Sequence, residues 1–378
     1  LYIDITNKQE FLSNIQGLDE IGINEREFGT LCCYNVAFPE TFLNFYAREC
    51  RGIIFNKEGT VIRRPFHKFF NLNEREETQL EEFDGWKITS VTKKMDGMMI
   101  APFLINDGKD IFWGSKRASK DIHEYLDKHP IITTKMKEYI RYLLNNNHTP
   151  IFEFHDPDYE PSRIVVKYDK PFFKLITIRN MLTGKYWPPS TLEFKNVTFD
   201  IVHHSHKFVS LEQIVNHVQN LEGEEGFVVH VQNKDGDVVF LKIKSPWYVR
   251  RHKVKSLFEF DYIKAQLILE CHNEINMDDI SPYMEESDRI EFEQFSTELH
   301  KEMNLASEYV KSTRNKYASR KEFGLSDESH NNVLSSVVFR CIDTDTNPFP
   351  MIAEMYKKQA TKETKFKQFR DNIKVLTI

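Results

Sequence analysis

Lys94-Met95-Asp96-Gly97 sets a lysine two residues ahead of an Asp-Gly pair, just after the β-branched run "ITSVT". Asp-Gly is the favoured pair of a tight turn, which accounts for Asp96 and Gly97 but not for a lysine at the lip of a strand. Lys242 and Lys244 stand two apart in "FLKIKSP", so an extended backbone puts both ammonium groups on one face. Like charges side by side repel, and a shared anion such as a phosphate would relieve them. From Phe240 to Leu257 there are six Lys/Arg and no Asp or Glu. Glu225-Gly226 opens the apolar run "FVVHV", and Glu153 lies between Phe152 and Phe154, where period two turns its carboxylate away from both rings. Arg51 precedes "GIIF" and Lys68 precedes "FFN". Singly, each of these is a solvated edge, a capped turn or a surface charge. Their ordered recurrence at strand ends is what such readings leave unexplained.

Strands must bring these groups together, and up to about residue 255 the texture is of short β-like runs bounded by turn residues. Lys57-Glu58-Gly59, Asn106-Asp107-Gly108 and Lys234-Asp235-Gly236 predict antiparallel hairpins. Helical patterns interrupt them at 119–147 and 210–223. Beyond 255, Phe292, Phe295, Leu299, Met303, Ala306 and Val310 recur at spacings of three and four, one face of a long helix. The expected class is α+β, with a mixed domain over 1–255 and an all-helical domain over 256–378. The stretch 357–374 carries seven Lys/Arg against two acids, interleaved with Phe366 and Phe369. It reads as a solvated helix face with two core rings, or as a surface for structured RNA.

A chain of 378 residues, 40% apolar and 29% charged, is that of a folded protein of two domains. Its formal charge of −6 excludes a protein that coats nucleic acid indiscriminately, though not a local basic groove. The cysteines (Cys32, Cys33, Cys50, Cys271, Cys341) lack the two-residue gap of a zinc knuckle or redox pair, which predicts free thiols in a reducing cytosol. No apolar run reaches membrane-spanning length and the first residues lack the pattern of a signal peptide, so a cytoplasmic protein without a membrane partner is expected.

Arg51-Gly52, Lys68-Phe69-Phe70-Asn71, Lys94-Met95-Asp96-Gly97, Ser115-Lys116, Phe152-Glu153-Phe154, Glu225-Gly226-Phe227-Val228 and Lys242-Ile243-Lys244 stand in this order. Together they resemble the motif series of covalent nucleotidyltransferases, the superfamily of ATP-dependent ligases and mRNA capping enzymes. The spellings "ECRGIIF", "KFFNLNE", "SRIVVKY" and "KIKSPWYV" resemble, more narrowly, the phage T4 RNA ligase 1 family over most of residues 45 to 255. Met95, Met98 and Met99 depart from that family's more polar neighbours of the nucleophile. The resemblance implies an ATP-grasp-like catalytic domain of antiparallel sheets and helices, with the helical domain as an RNA-specificity module. It also implies three steps: a lysine takes AMP from ATP, AMP passes to an RNA 5′-phosphate, and a 3′-hydroxyl displaces it.

On that resemblance Lys94 is the nucleophile, Lys93 a bystander on the opposite face, and Lys242 and Lys244 the catalytic cations at the α-phosphate. A lysine that attacks near neutral pH must lose a proton ordinarily held to about 10.4, and neighbouring cations favour that loss. Arg51 and Lys68 are expected on the triphosphate or the RNA 5′-phosphate, Lys116 on the nucleotide, and Leu175 and Ile178 as an apolar wall for adenine. Mg²⁺, with Mn²⁺ as a substitute, is expected on Glu225, with Glu153 either in the same shell or on the ribose. Asp96 would join the metal's water shell, Asp278 and Asp279 would hold a second metal, and Tyr248 would support the active site or the RNA path. The implied partners are single-stranded RNA ends or a cleaved tRNA, met by a monomer in phage RNA repair beside a polynucleotide kinase/phosphatase. The alternatives are a DNA ligase or capping guanylyltransferase, each with an oligonucleotide-binding barrel after the last lysine motif, and a catalytically silent RNA-binding homologue.

Overall fold

A computed structural model of the chain describes residues 2–34, 38–159, 165–188, 191–192, 198–205, 207–269, 280–330, 332–342, 344 and 346–377. The class is α+β, and the chain divides into two compact units, Leu1–Val249 and Arg250–Ile378. The strands among these residues are β1 (Ile21–Arg26), β2 (Gly29–Tyr34), β3 (Arg51–Phe55), β4 (Val61–Arg63), β5 (Phe70–Asn71), β6 (Lys87–Lys94) and β7 (Met98–Ile100). They continue with β8 (Phe103–Ile105), β9 (Asp110–Phe112), β10 (His148–His155), β11 (Phe172–Asn180), β12 (Gly226–Gln232) and β13 (Val238–Lys244).

All of these strands lie in the first unit. One sheet has the order β1-β2-β3-β4, a second β11-β10-β7, a third β5-β13-β12-β6, and β8-β9 stand as a pair. The three expected hairpins are present as β3–β4, β8–β9 and β12–β13, all antiparallel. Asp96-Gly97 makes no hairpin: β6 pairs with β12 and β7 with β10, so the three residues after Lys94 carry the chain from one sheet to another. The close approach explains the glycine. A Cβ on Gly97 would lie 2.6 Å from the Phe154 carbonyl oxygen and 3.1 Å from Glu153 Cγ.

Period two gives the third sheet two unlike faces. Val91, Phe227, Val229, Val231, Leu241 and Ile243 pack on one side, with Leu211, Ile214 and Val218 of the helix Leu211–Gln219. Thr92, Lys94, Val228, His230, Phe240, Lys242 and Lys244 alternate with them. On β10, Phe152 and Phe154 enter the main core, while Ile151 packs with Phe66, Phe69 and Phe240 toward the third sheet. Ahead of Arg51, the Glu49 carboxylate is buried between two guanidinium groups, Arg64 Nη2 at 2.8 Å and Arg179 Nη2 at 2.7 Å. Burial alone would raise its pKa, yet the two arginines hold it well below the usual carboxylate range.

In the second unit, the helix Glu286–Arg314 supplies the central apolar stripe: Phe295, Leu299, Met303, Ala306 and Val310 are buried among Val337, Val338, Ile352, Tyr356, Phe366 and Ile373. Phe292, at the start of that stripe, stacks instead on Phe258 at 5.5 Å. Asp288 caps the helix start by accepting the Glu285 N–H at 2.9 Å. Arg370 is pinned inside the unit, with Glu302 at 2.6 Å and Asp261 at 3.0 Å.

Candidate active site

The register of the third sheet assembles a cluster of charges from three strands. Gly226 lies opposite both Lys94 and Lys244, which places Glu225 at the mouth of the two lysine-bearing strands. Its φ of +133° and the 2.1 Å that a Cβ would leave to the Ile243 carbonyl oxygen restrict this position to glycine. Glu225 is 2% exposed and takes Lys94 Nζ on Oε2 at 2.7 Å and Lys244 Nζ on Oε1 at 3.2 Å. Lys93, one residue back and on the other face, pairs with Glu224 at 2.7 Å. Consecutive lysines thus meet consecutive glutamates on opposite sides of one sheet.

Lys242 donates to the Phe69 carbonyl oxygen at 3.0 Å, and its ammonium lies 4.5 Å from the Phe69 ring centre. Burial pulls its pKa well below the ordinary lysine value, and the charges of Arg51, Lys68, Lys94 and Lys244 pull it in the same direction. Arg51 Nη1 is buried without a hydrogen-bond partner among the described residues, an orphan donor in a region rich in positive charge. Lys68 sits over the rings of Phe42 and Phe70, and Lys116 donates to the Tyr34 carbonyl oxygen at 3.0 Å. Burial depresses the pKa of both. Such a gathering of desolvated cations suits a polyanion. Facing it, burial pushes the Glu153 carboxyl up to about 8; Lys94 opposes the rise, while the charges of Glu225 and Asp96 add to it.

A pocket runs from these charges between the second and third sheets. Arg51, Lys94, Lys242 and Glu153 stand at its charged part, and Phe66, Phe69, Met99, Ile176, Val202 and Val228 wall the rest. Thr92, Thr177, His204 and His230 add polar groups. A pocket that combines apolar walls with cationic groups has the character of a nucleotide site.

A family profile described as RNA ligase matches residues 49–248, just over half of the 378-residue chain. The chain belongs to this RNA ligase family. A protein of Thermovibrio ammonificans provisionally named RNA ligase is 32% identical over 225 residues, 58% of this chain and 57% of that protein. "RNA ligase 1" of Bacteriophage TS2126 is 29% identical over 167 residues, 42% of this chain and 41% of that protein. The matches therefore span less than two thirds of these relatives' own lengths. Among solved structures, "Archaeal ATP-dependent RNA ligase - form 2" superposes with a TM-score of 0.48 at 12% identity, covering 79% of each chain.

Within the unit that the RNA ligase profile matches, the structure brings Arg51, Lys94, Glu153, Glu225, Lys242 and Lys244 to one site. It corrects the adenine wall. Leu175 and Ile178 are both fully buried in the main core, because β11 bulges: Phe152 pairs with Leu175 while Ile151 pairs with Thr177. The extra residue turns Ile176 and Thr177 toward the pocket instead. Asp96 is also redirected. Its Oδ2 accepts the Val165 and Val166 N–H groups at 2.6 and 3.0 Å, and its Oδ1 accepts the Tyr248 hydroxyl at 3.0 Å. With both oxygens taken, Asp96 ties a loop and a tyrosine to the turn after Lys94 and does not line the pocket. Tyr248 is 4% exposed and acts in that tie, with Lys244 5.1 Å from its ring centre. Asp278 and Asp279 lie outside the described residues. Val228, quoted only as part of a motif, and His230 were not read as pocket residues, although the alternation that puts Lys242 and Lys244 on one face could have found their side of the neighbouring strand.

Proposed function

We propose that the chain is an ATP-dependent RNA ligase that joins 5′-phosphate and 3′-hydroxyl ends through a Lys94–AMP intermediate. The observation that carries this reading is the Lys94–Glu225–Lys244 group, with Lys94, Lys242 and the orphan donor of Arg51 lining a largely apolar pocket.

Lys94 Nζ, freed from Glu225 and deprotonated, attacks the α-phosphorus; a P–N bond forms and the bond to pyrophosphate breaks. Lys242 and Lys244 neutralise the charge that develops on the α-phosphate, and their repulsion favours the neutral nucleophile. Arg51 meets the outer phosphates, and then the RNA 5′-phosphate, with a planar fork of donors. An oxygen of that 5′-phosphate next takes AMP from Lys94, and the 3′-hydroxyl displaces AMP in the final step. Glu225 and Glu153 are the carboxylates that would hold Mg²⁺ or Mn²⁺: two like charges set close together, one pushed up to about 8 by burial, are a donor pair that a hard cation relieves. The ion supplies charge neutralisation and alignment of phosphate oxygens.

Among the described residues, Arg250–Ile378 holds helices and no strand. That supports an RNA ligase over a DNA ligase or capping enzyme with an oligonucleotide-binding barrel there. The complete set of charged site residues supports an active enzyme over a silent homologue. Single-stranded RNA ends or a cleaved tRNA loop are the proposed substrates, met by a monomer in the cytoplasm after a kinase/phosphatase has produced joinable ends. The test is incubation with α-labelled ATP and Mg²⁺, followed by denaturing electrophoresis. Label should survive denaturation on the wild type and vanish from Lys94→Ala; a wild type that takes no label would sink the proposal.

A further inference from the structure

Arg63, the last residue of β4, is a fully buried cation that no acid answers. It is 0% exposed, and among the described residues no carboxylate pairs with it. Its planar fork reaches backbone oxygens instead: Nη1 donates to the Gly52 carbonyl at 3.2 Å, and Nη2 to those of Gly114 and Ser115 at 2.8 and 2.6 Å. Nε has no partner among the described residues. Burial pulls the pKa of this guanidinium down to about 9. Arg64, the next residue, is also buried but has the Glu49 carboxylate at 2.8 Å. A neutral side chain could fill the place of Arg63 without the cost of desolvating an unpaired charge, so packing alone does not account for it.

The carbonyls that Arg63 holds flank two of the site's cations. Gly52 follows Arg51, and Ser115 precedes Lys116. The two segments also meet directly: a Cβ on Gly52, where φ is +102°, would stand 2.5 Å from the Lys116 carbonyl oxygen and 3.2 Å from Arg63 Nη1. One on Gly114 would stand 3.3 Å from Arg63 Cζ. Both glycines therefore leave room for the guanidinium and for the close approach. The Ser115 carbonyl accepts the Ala118 N–H as well, at 3.0 Å, which closes the turn that carries Lys116. Ala118 has a φ of +49°, a left-handed conformation that a residue with a Cβ keeps only where its surroundings enforce it. The charges of Arg51 and Lys68 lower the pKa of Lys116, so these cations stand within electrostatic reach of one another.

We propose that Arg63 is a positioning residue for the polyphosphate of ATP, fixing the spacing of Arg51 and Lys116 and lending its own unpaired charge to the anion they hold. This rests on the reading of the chain as an ATP-dependent ligase with Arg51 and Lys116 on the nucleotide, and it adds the group that sets the two against each other. A fork with donors on two sides can bond to two segments at once, which a lysine ammonium does less well. Its charge acts on the anion through a dry interior, where attraction is screened far less than in water.

The experiment follows labelling of Lys94 in the full chain over a range of α-labelled ATP concentrations, beside thermal unfolding of each variant. Arg63→Gln removes the fork and the charge, and should raise the half-saturating ATP concentration by roughly tenfold while the rate at saturation falls less. Arg63→Lys keeps the charge but not the fork, and should recover part of that loss. Coupling is the decisive readout. Lys116→Ala should itself raise the half-saturating concentration, and adding Arg63→Gln should raise it by no more than about threefold further, because one of the cations that Arg63 positions is gone. A purely structural Arg63 would lower the melting temperature and leave the two effects independent. The same cycle with Arg63→Lys decides the matter if Arg63→Gln does not fold. An unchanged half-saturating concentration in the Arg63 variant, or the same fold-change with and without Lys116, overturns the positioning role and leaves the ligase reading standing. Failure of both Arg63 variants to fold does the same, since it assigns Arg63 to the core. A wild type that takes no label overturns the ligase reading and this role with it.

Discussion

Glu153 lies beneath Gly97 and within electrostatic reach of Glu225 and Asp96, so its negative form is disfavoured by burial first and by neighbouring carboxylates second. The sign of the consequence follows from linkage. With a folded-state value of about 8 against an ordinary 4.5, the folded chain binds more protons than the unfolded chain throughout that interval. Stability attributable to this group is therefore greatest below about pH 4.5 and is lost as pH rises toward 8. Glu153→Gln cannot ionise and should escape that loss. Its urea-unfolding free energy should gain on the wild type by roughly 2 to 4 kcal/mol between pH 5 and pH 8.5. A difference between the two proteins that stays constant with pH would show that Glu153 ionises without penalty. The same substitution removes one of the two carboxylates proposed for the metal, so labelling of Lys94 should require more Mg²⁺ even as the fold gains stability.

The stretch after Lys94 is an element whose shape the local sequence conceals. Asp-Gly ordinarily closes a hairpin, but here β6 and β7 belong to different sheets, and Gly97 is needed for the passage against β10. Gly97→Ala sets a methyl 2.6 Å from a backbone oxygen that cannot swing aside, so the turn carrying Lys94 must shift. A loss of roughly 1 to 3 kcal/mol in stability is expected, with a disproportionate fall in Lys94 labelling because in-line attack depends on position. Retained labelling at the wild-type rate would mean that the turn has slack. What the sequence made legible at this scale is local: the three Gly-closed hairpins, the long helix with its repeating apolar face, and the shared face of Lys242 and Lys244. Partners across strands were not legible, since alternation gives a residue's side but not its neighbour. A bulge is less legible still. Leu175 and Ile178, three apart, share a face only because one extra residue interrupts the ladder at Ile176, and no pattern within β11 announces it.

At the scale of the whole molecule, a chain of net charge −6 must concentrate its cations wherever it is to meet RNA. The first unit does so around Lys94, and the basic stretch 357–374 offers a second concentration in the other unit. The structure sorts that stretch by role. Phe366 and Phe369 are core, and Arg370 and Lys374 are engaged with Glu302, at 2.6 and 3.4 Å, so those charges hold the helices. Lys358, Lys362, Lys365 and Lys367 are exposed. Phosphate contacts by lysine release counterions, and each one adds about 0.7 to the slope of log affinity against log salt for a single strand. If these four side chains meet RNA, reversing all of them to Glu should weaken binding and lower that slope by roughly 2 to 3. Labelling of Lys94 by ATP should be unaffected, because it needs no RNA. Arg370→Glu makes the contrast: it sets a carboxylate against half-buried Glu302 and against Asp261 and should lower the melting temperature, whatever happens to RNA. Filter binding across a salt series, beside thermal unfolding, separates the two. An unchanged slope in the fourfold variant would assign the whole stretch to scaffold and leave the proposed contact with RNA to the cations around Lys94.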